Sequence, residues 1–123
     1  MGDLKEIVGR IRGLLNSNNI LKAIDLLESG LDQFPIQLRL LTIATDVYRA
    51  SGDREKSLEY SELLISHHPK NWNGYGRSAQ DLISLKRFDE AQIKIQVGLE
   101  RFRNQVDLLA IASDVYRASG DRK

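Results

Sequence analysis

LTIATDVYRASGDR, residues 41–54, returns as LAIASDVYRASGDR at residues 109–122. Only Thr42 and Thr45 change, to Ala110 and Ser113. The offset is 68 residues, twice 34, so a period of 34 is the first pattern to test, because an internal repeat decides the whole architecture. Single residues keep that step. Pro35 and Pro69 are one period apart, and Ala23, Ser57 and Ala91 form a register of small residues. Gly30, Leu64 and Gly98 keep step, as do Leu31, Ile65 and Leu99. Leu14, Tyr48, Leu82 and Tyr116 make a register of large apolar or aromatic residues. The chain therefore divides as one domain, 1–123, into units at about 4–37, 38–71 and 72–105 and a half unit at 106–123.

Within each unit the apolar spacing is helical. Ile7, Ile11, Leu14 and Leu15 recur at three- and four-residue steps, which predicts a helix from about Leu4 to Asn16. Gly9 and Gly13 sit inside it, either weakening it or allowing close helix approach. The same reading places helices at about Ile20–Gln33, Gln37–Ser51, Arg54–His67, Trp72–Leu85, Phe88–Phe102 and Gln105–Ser119. The stops between them are Asn16-Ser17-Asn18-Asn19, Phe34-Pro35, Gly52 and His67-His68-Pro69. The expected core is Ala23, Ile24, Leu27 and Leu31, then Leu40, Leu41, Ala44, Val47 and Tyr48, then Leu58, Leu64 and Ile65, then Tyr75, and finally Ala91, Ile95, Leu99 and Phe102.

This pattern resembles the tetratricopeptide repeat, a helix–turn–helix unit of the same length. Arg87-Phe88-Asp89-Glu90-Ala91 is similar to the family's opening of the second helix, and Tyr75 fits the aromatic early in the first. Tyr48 and Tyr116 fit the tyrosine late in the first helix, Gly52-Asp53 and Gly120-Asp121 the turn between helices, and Pro35 and Pro69 the break after the second. Arg103 departs from the family's proline, Ser57 from its second-helix alanine, and Asn18 and Lys86 from its turn glycine. A first-helix glycine is replaced by Ile11, Thr45, Ala79 and Ser113. The resemblance implies an all-α, right-handed superhelical α-solenoid of antiparallel helix pairs, seven helices in all, and a protein–protein interaction scaffold.

Composition narrows the chemistry. The chain has 123 residues, net charge +1 and no cysteine. Near-neutrality offers no field for gathering nucleic acid, and the lack of thiols excludes disulfides. MGDLKEIVGRIRG, at the N-terminus, carries charges among its apolar residues and no signal-peptide core. No apolar run approaches a membrane span, so a soluble, cytoplasmic protein is expected, with no membrane partner. The half unit reads as a fragment of a longer array. His67-His68 invites a metal reading, but no cysteine or closely spaced carboxylate completes a set. Carboxylates are expected on solvent faces, the glycines form no phosphate loop, and no nucleophile–base pair is visible, so no enzyme and no cofactor is expected.

Arrays of helix pairs present an extended concave surface. In the family the first helix of each unit lines it, which nominates Lys5, Val8, Arg12 and Leu15, then Arg39, Thr42, Ile43, Asp46 and Arg49. Asn73, Arg77, Gln80 and Ile83 follow from the third unit, with Asp107, Ala110, Ile111, Asp114 and Arg117 from the fourth. Six of these are basic and three acidic, favouring an acidic protein or peptide segment; Asp46–Arg49 and Asp114–Arg117 are spaced for local pairs. Trp72 and Tyr75 read either as a ligand-stacking pair or, preferably, as packing residues. Some family members grip the C-terminal carboxylate of heat-shock chaperones with a basic and asparagine clamp. Only Arg77 matches it here; Val8, Arg12, Ile43 and Asn73 fill the other places, which argues against that ligand. The alternative function is self-association, a homodimer through the C-terminal edge, with Leu108, Ala112, Val115 and Tyr116 left bare on the last helix. A third is a stabilising appendage of a larger enzyme.

Overall fold

The structure, a computed structural model, describes residues 3–121; residues 1, 2, 122 and 123 lie outside it, including the ends of the first-helix flank and of the half unit. Seven helices fill the described chain: α1 Leu4–Asn16, α2 Ile20–Gln33, α3 Leu38–Ser51, α4 Arg54–His67, α5 Asn73–Ser84, α6 Phe88–Arg101 and α7 Val106–Asp121. No strand occurs among the described residues. The expected ends hold except at flanks. Gln37, Trp72, Leu85 and Phe102 are caps rather than helical residues. The helix α7 runs past Ser119 through Gly120 to Asp121, so the turn expected at Gly120-Asp121 does not form.

Each helix packs on its neighbours in sequence, and α1, α3, α5 and α7 also pack on one another in order. The even-numbered helices α2, α4 and α6 have no close backbone approach to one another; α6 reaches α4 through side chains, Lys94 Nζ lying 3.0 Å from Glu62 Oε1. The first helices thus form an inner row and the second helices an outer one, an all-α helical-repeat solenoid.

The repeat shows in the packing as well as in the letters. A Cβ at Gly30 would stand 3.1 Å from Ile7 and 3.4 Å from Leu40; at Gly98 it would stand 2.9 Å from Tyr75 and within 3.6 Å of Leu108. Ile7 and Tyr75, like Leu40 and Leu108, are 68 residues apart, so the same close crossing is built twice. Gly9 and Gly13 face open space, and close approach is therefore not their role. Ala23, Ser57 and Ala91, the small-residue register, are all fully buried.

Two apolar clusters result. One joins α1 to α4 around Ile11, Leu27, Leu40, Ile43 and Leu64. The other joins α4 to α7 around Ala79, Leu82, Ile95, Leu108 and Val115. Tyr48 stacks on Tyr60 at 5.6 Å between ring centres, a partner the sequence reading lacked, and its hydroxyl donates to Glu28 Oε2 at 2.8 Å. Burial pushes both phenols up, Tyr60 to about 12, with the nearby Glu28 carboxylate adding to the effect.

The three turns inside units share one closure. Asn19, Asp53 and Arg87 donate their backbone N–H to the carbonyls of Leu14, Tyr48 and Leu82, each five residues back. That closure needs a left-handed residue just before it, supplied by Asn18 (φ 60°), Gly52 (φ 87°) and Lys86 (φ 62°). Lysine has a Cβ that resists this region and no short side chain to compensate. Replacing exposed Lys86 by glycine should therefore stabilise the fold by about 1 kcal/mol. A urea midpoint for K86G at or below that of the parent would contradict this account of the turn.

Candidate functional site

The inner row forms a groove, and its residues come from where the repeat places them. Near α1 and α3, a hollow of about 270 Å³ is lined by Val8, Arg12, Leu38, Arg39, Thr42, Asn71 and Asn73. A second, of about 390 Å³, is lined by Asp46, Arg49, Trp72, Asn73, Arg77, Gln80, Asp107, Ala110, Ile111 and Asp114. Asn73 borders both, so the hollows adjoin. Asn71 holds this entrance to α5 by accepting from the Asn73 backbone N–H at 2.9 Å.

Most of the residues nominated from sequence do line the groove. Ile43 does not: it is fully buried in the first apolar cluster, as is nearly all of Val8. A helix turns about 100° per residue, so Ile43 lies between the groove face of Thr42 and Asp46 and the covered face of Ala44. Trp72 lines the second hollow while also packing on the second cluster, whereas Tyr75 is core, tilted against Phe102. A Cβ on Gly76 would come within 2.8 Å of Ile111 and 3.6 Å of Trp72, so bare backbone lets those two flank the hollow closely.

The charges are arranged differently from the local pairs expected. Asp46 does not pair with Arg49. It accepts instead from Arg77, one unit along, which also donates to Thr45 Oγ1 at 2.8 Å. Arg49 reaches across α5, donating to Asp81 at 3.2 Å, Gln80 at 3.3 Å and the Arg77 carbonyl at 3.4 Å. Burial pushes the Arg49 guanidinium down from its ordinary value against the opposing pull of Asp81. Its Nε–H is buried without an acceptor. Of the two local pairs expected, Asp114–Arg117 does form, at 3.5 Å and open to solvent.

Asp81 is the residue that sequence reasoning missed, and it corrects the expectation that carboxylates lie on solvent faces. It is fully buried. One oxygen accepts from Arg49 and from Arg54 at 3.0 Å; the other accepts from Ser57 at 2.6 Å and Ser61 at 3.4 Å. The signal was present in the repeat. One period away from Asp81 stand Val47 and Val115; from Ser57, Ala23 and Ala91; from Ser61, Leu27 and Ile95. Three polar departures from an apolar pattern converge on one carboxylate.

The bare edge of α7 also differs from expectation. Leu108, Ala112 and Val115 are buried against the second cluster and are not available for self-association. The exposed residues are Val106 (72%), Leu109 (50%) and Tyr116 (45%). The counterparts of Leu109 and Tyr116 one double period earlier, Leu41 and Tyr48, are 0% and 7% exposed, because α4 covers them. The remaining nominee, Tyr116, is anchored on its other side, accepting from Gln96 Nε2 at 2.9 Å as Tyr48 bonds to Glu28. His67 and His68 lie at the end of α4, where His68 Nε2 donates to the Ile36 carbonyl at 2.6 Å.

Solved structures superimpose closely on this arrangement. The tetratricopeptide-repeat domain of Sgt2 from Aspergillus fumigatus matches 96% of this chain and 80% of its own, with TM-score 0.85 and 21% identity. The first such domain of Spaghetti (RPAP3), bound to the HSP90 peptide SRMEEVD, matches 93% of this chain and 90% of its own, with TM-score 0.80 and 17% identity. MamA, in its MSR-1 form, matches 97% of this chain and 68% of its own, with TM-score 0.77 and 18% identity. The fold is the tetratricopeptide-repeat fold. Neither a protein-family model nor a curated protein matches the sequence. In this repeat array no helix among the described residues is long and apolar enough to cross a membrane.

The buried cluster can be tested without any ligand. Asp81→Val strands the Arg49 charge at a partly buried site and should destabilise the array by about 3 kcal/mol. Adding Ser57→Ala and Ser61→Leu restores the apolar pattern of the other units and should recover at least half of that loss. A triple variant no more stable in urea than Asp81→Val alone would show that the cluster is not the reason for these three residues.

Proposed function

We propose that the chain is a protein-interaction module that holds an extended segment of a partner protein along the inner row of helices. The observation that carries this is the pair of adjoining hollows over α1, α3, α5 and α7, rich in guanidinium, carboxylate and amide groups and flanked by Trp72 and Ile111. Such a mixture suits recognition of a peptide backbone and its side chains. Salt bridges hold Arg49 and Arg77 in place within the lining, which suits it to presenting fixed polar groups to a bound segment. The chaperone peptides held by Spaghetti and by the second domain of human RPAP3 are ligands of those proteins. For this chain a carboxylate clamp is not the reading, since Arg77 is held by Asp46, Ile43 is buried, and Val8 offers no charge.

Probing an array of ten-residue peptides with the labelled protein, then titrating the best binder by amide NMR, tests the reading. Shifts should centre on Thr42, Asn73, Gln80 and Ala110. Shifts confined to α2, α4 and α6, or no binder anywhere in a diverse array, would overturn it.

The uncovered strip of α7 supports a second reading, self-association through Val106, Leu109 and Tyr116. A two-fold contact through this strip needs no helix to leave its own chain. Sedimentation equilibrium over a hundredfold concentration range should show a mass above 14.0 kDa that Leu109→Glu returns to the monomer value. A constant 14.0 kDa for the parent protein ends this reading.

A further inference from the structure

The charges of the groove, once internal pairing is taken into account, are sorted by position. At the α1–α3 end, Arg12 and Arg39 line the smaller hollow and are exposed. No carboxylate lines that hollow, and neither arginine has an ion-pair partner among the described residues. At the α5–α7 end the apparent basicity is reduced by pairing. Arg77 is matched by Asp46, and Arg49 shares with Arg54 the buried Asp81, which lies behind the lining. What remains facing the larger hollow is Asp107, unpaired among the described residues, and Asp114, whose partner Arg117 is itself largely in solvent. In the same hollow, beside these carboxylates, stand Trp72 and Ile111.

We propose that this groove selects a segment of segregated charge, with acidic residues seated at Arg12 and Arg39, an apolar residue beside Trp72 and Ile111, and basic residues at Asp107 and Asp114. This rests on the peptide-groove reading and replaces its uniformly acidic ligand. Packed helices lie about 8–10 Å apart, so the two helix spacings from Arg39 on α3 to Asp107 and Asp114 on α7 come to about 16–20 Å. An extended chain covers that in about five or six residues at roughly 3.3–3.6 Å each. A segment of one sign throughout meets attraction at one end and repulsion at the other, which is how charge complementarity rejects wrong partners. Ordering by charge also fixes which way the segment lies.

The test uses the full chain and three fluorescein-labelled ten-residue peptides, each with a central leucine. The first has two aspartates at one end and two lysines at the other, the second has aspartates at both ends, and the third has lysines at both. At low ionic strength the first should bind about tenfold more tightly than either of the others, on the scale of two exposed ion pairs. Arg12→Glu with Arg39→Glu, both at exposed positions, should transfer that preference to the lysine peptide. A nitroxide on the aspartate end should broaden the amides of Arg39 and Thr42, and on the lysine end those of Ala110 and Asp114. Equal affinity for the first two peptides, or broadening at both ends of the groove from either label, overturns charge sorting while leaving a peptide groove in place. If none of the three binds, and the peptide array also yields no binder, the peptide-groove reading fails and this inference with it.

Discussion

A carboxylate without access to water sets the terms for the middle of this molecule. Stripping Asp81 of solvent is costly unless every lone pair is met by a donor. The chain meets that demand with two guanidiniums and two hydroxyls drawn from α3 and α4. Those donors can reach only if α3, α4 and α5 keep one relative placement, so the carboxylate fixes the joint between the second and third units. It also decides the groove. Arg49 is drawn down toward α5, and Asp46 is left to pair with Arg77 rather than with its neighbour on the same helix. The polar cluster thus replaces apolar packing at the place where the two hydrophobic clusters would otherwise merge.

The period of 34 made the architecture legible before any coordinates. Helix positions, the turns at Asn18 and Gly52 and the small-residue register follow from spacing, because each depends on local geometry repeated at fixed intervals; the left-handed backbone of Lys86 came only with the structure. What was hidden depends on contacts between units. Asp46 and Arg49 are spaced for a pair within one helix, yet a long guanidinium on the adjacent inner helix competes for the same carboxylate and wins. Ser57, Ser61 and Asp81 each look like a tolerable lapse in the pattern. Only their simultaneous departure from it marks a cluster.

The last helix shows how fine the margin is. The strip expected to be bare, Leu108, Ala112, Val115 and Tyr116, and the strip that is bare, Val106, Leu109 and Tyr116, share Tyr116 and otherwise differ by about one residue's rotation. Periodicity assigns an apolar face about a third of the helix wide, and it does not say which edge of that face a neighbour covers. The near-identical stretch in α3 supplies the comparison, since the same leucine and tyrosine are hidden where α4 lies over them.

Every helix touches only those one or two places along the chain. Cooperativity in such an array passes from neighbour to neighbour, as in a one-dimensional chain of coupled switches. Here the coupling is not uniform. Within each half it is carried by hydrocarbon, whose strength wanes on cooling. Across the seam it leans on ions and hydroxyls, whose dehydration penalty falls as temperature rises. The halves and the seam therefore respond to temperature through different physics, and their relative strength is itself a function of temperature.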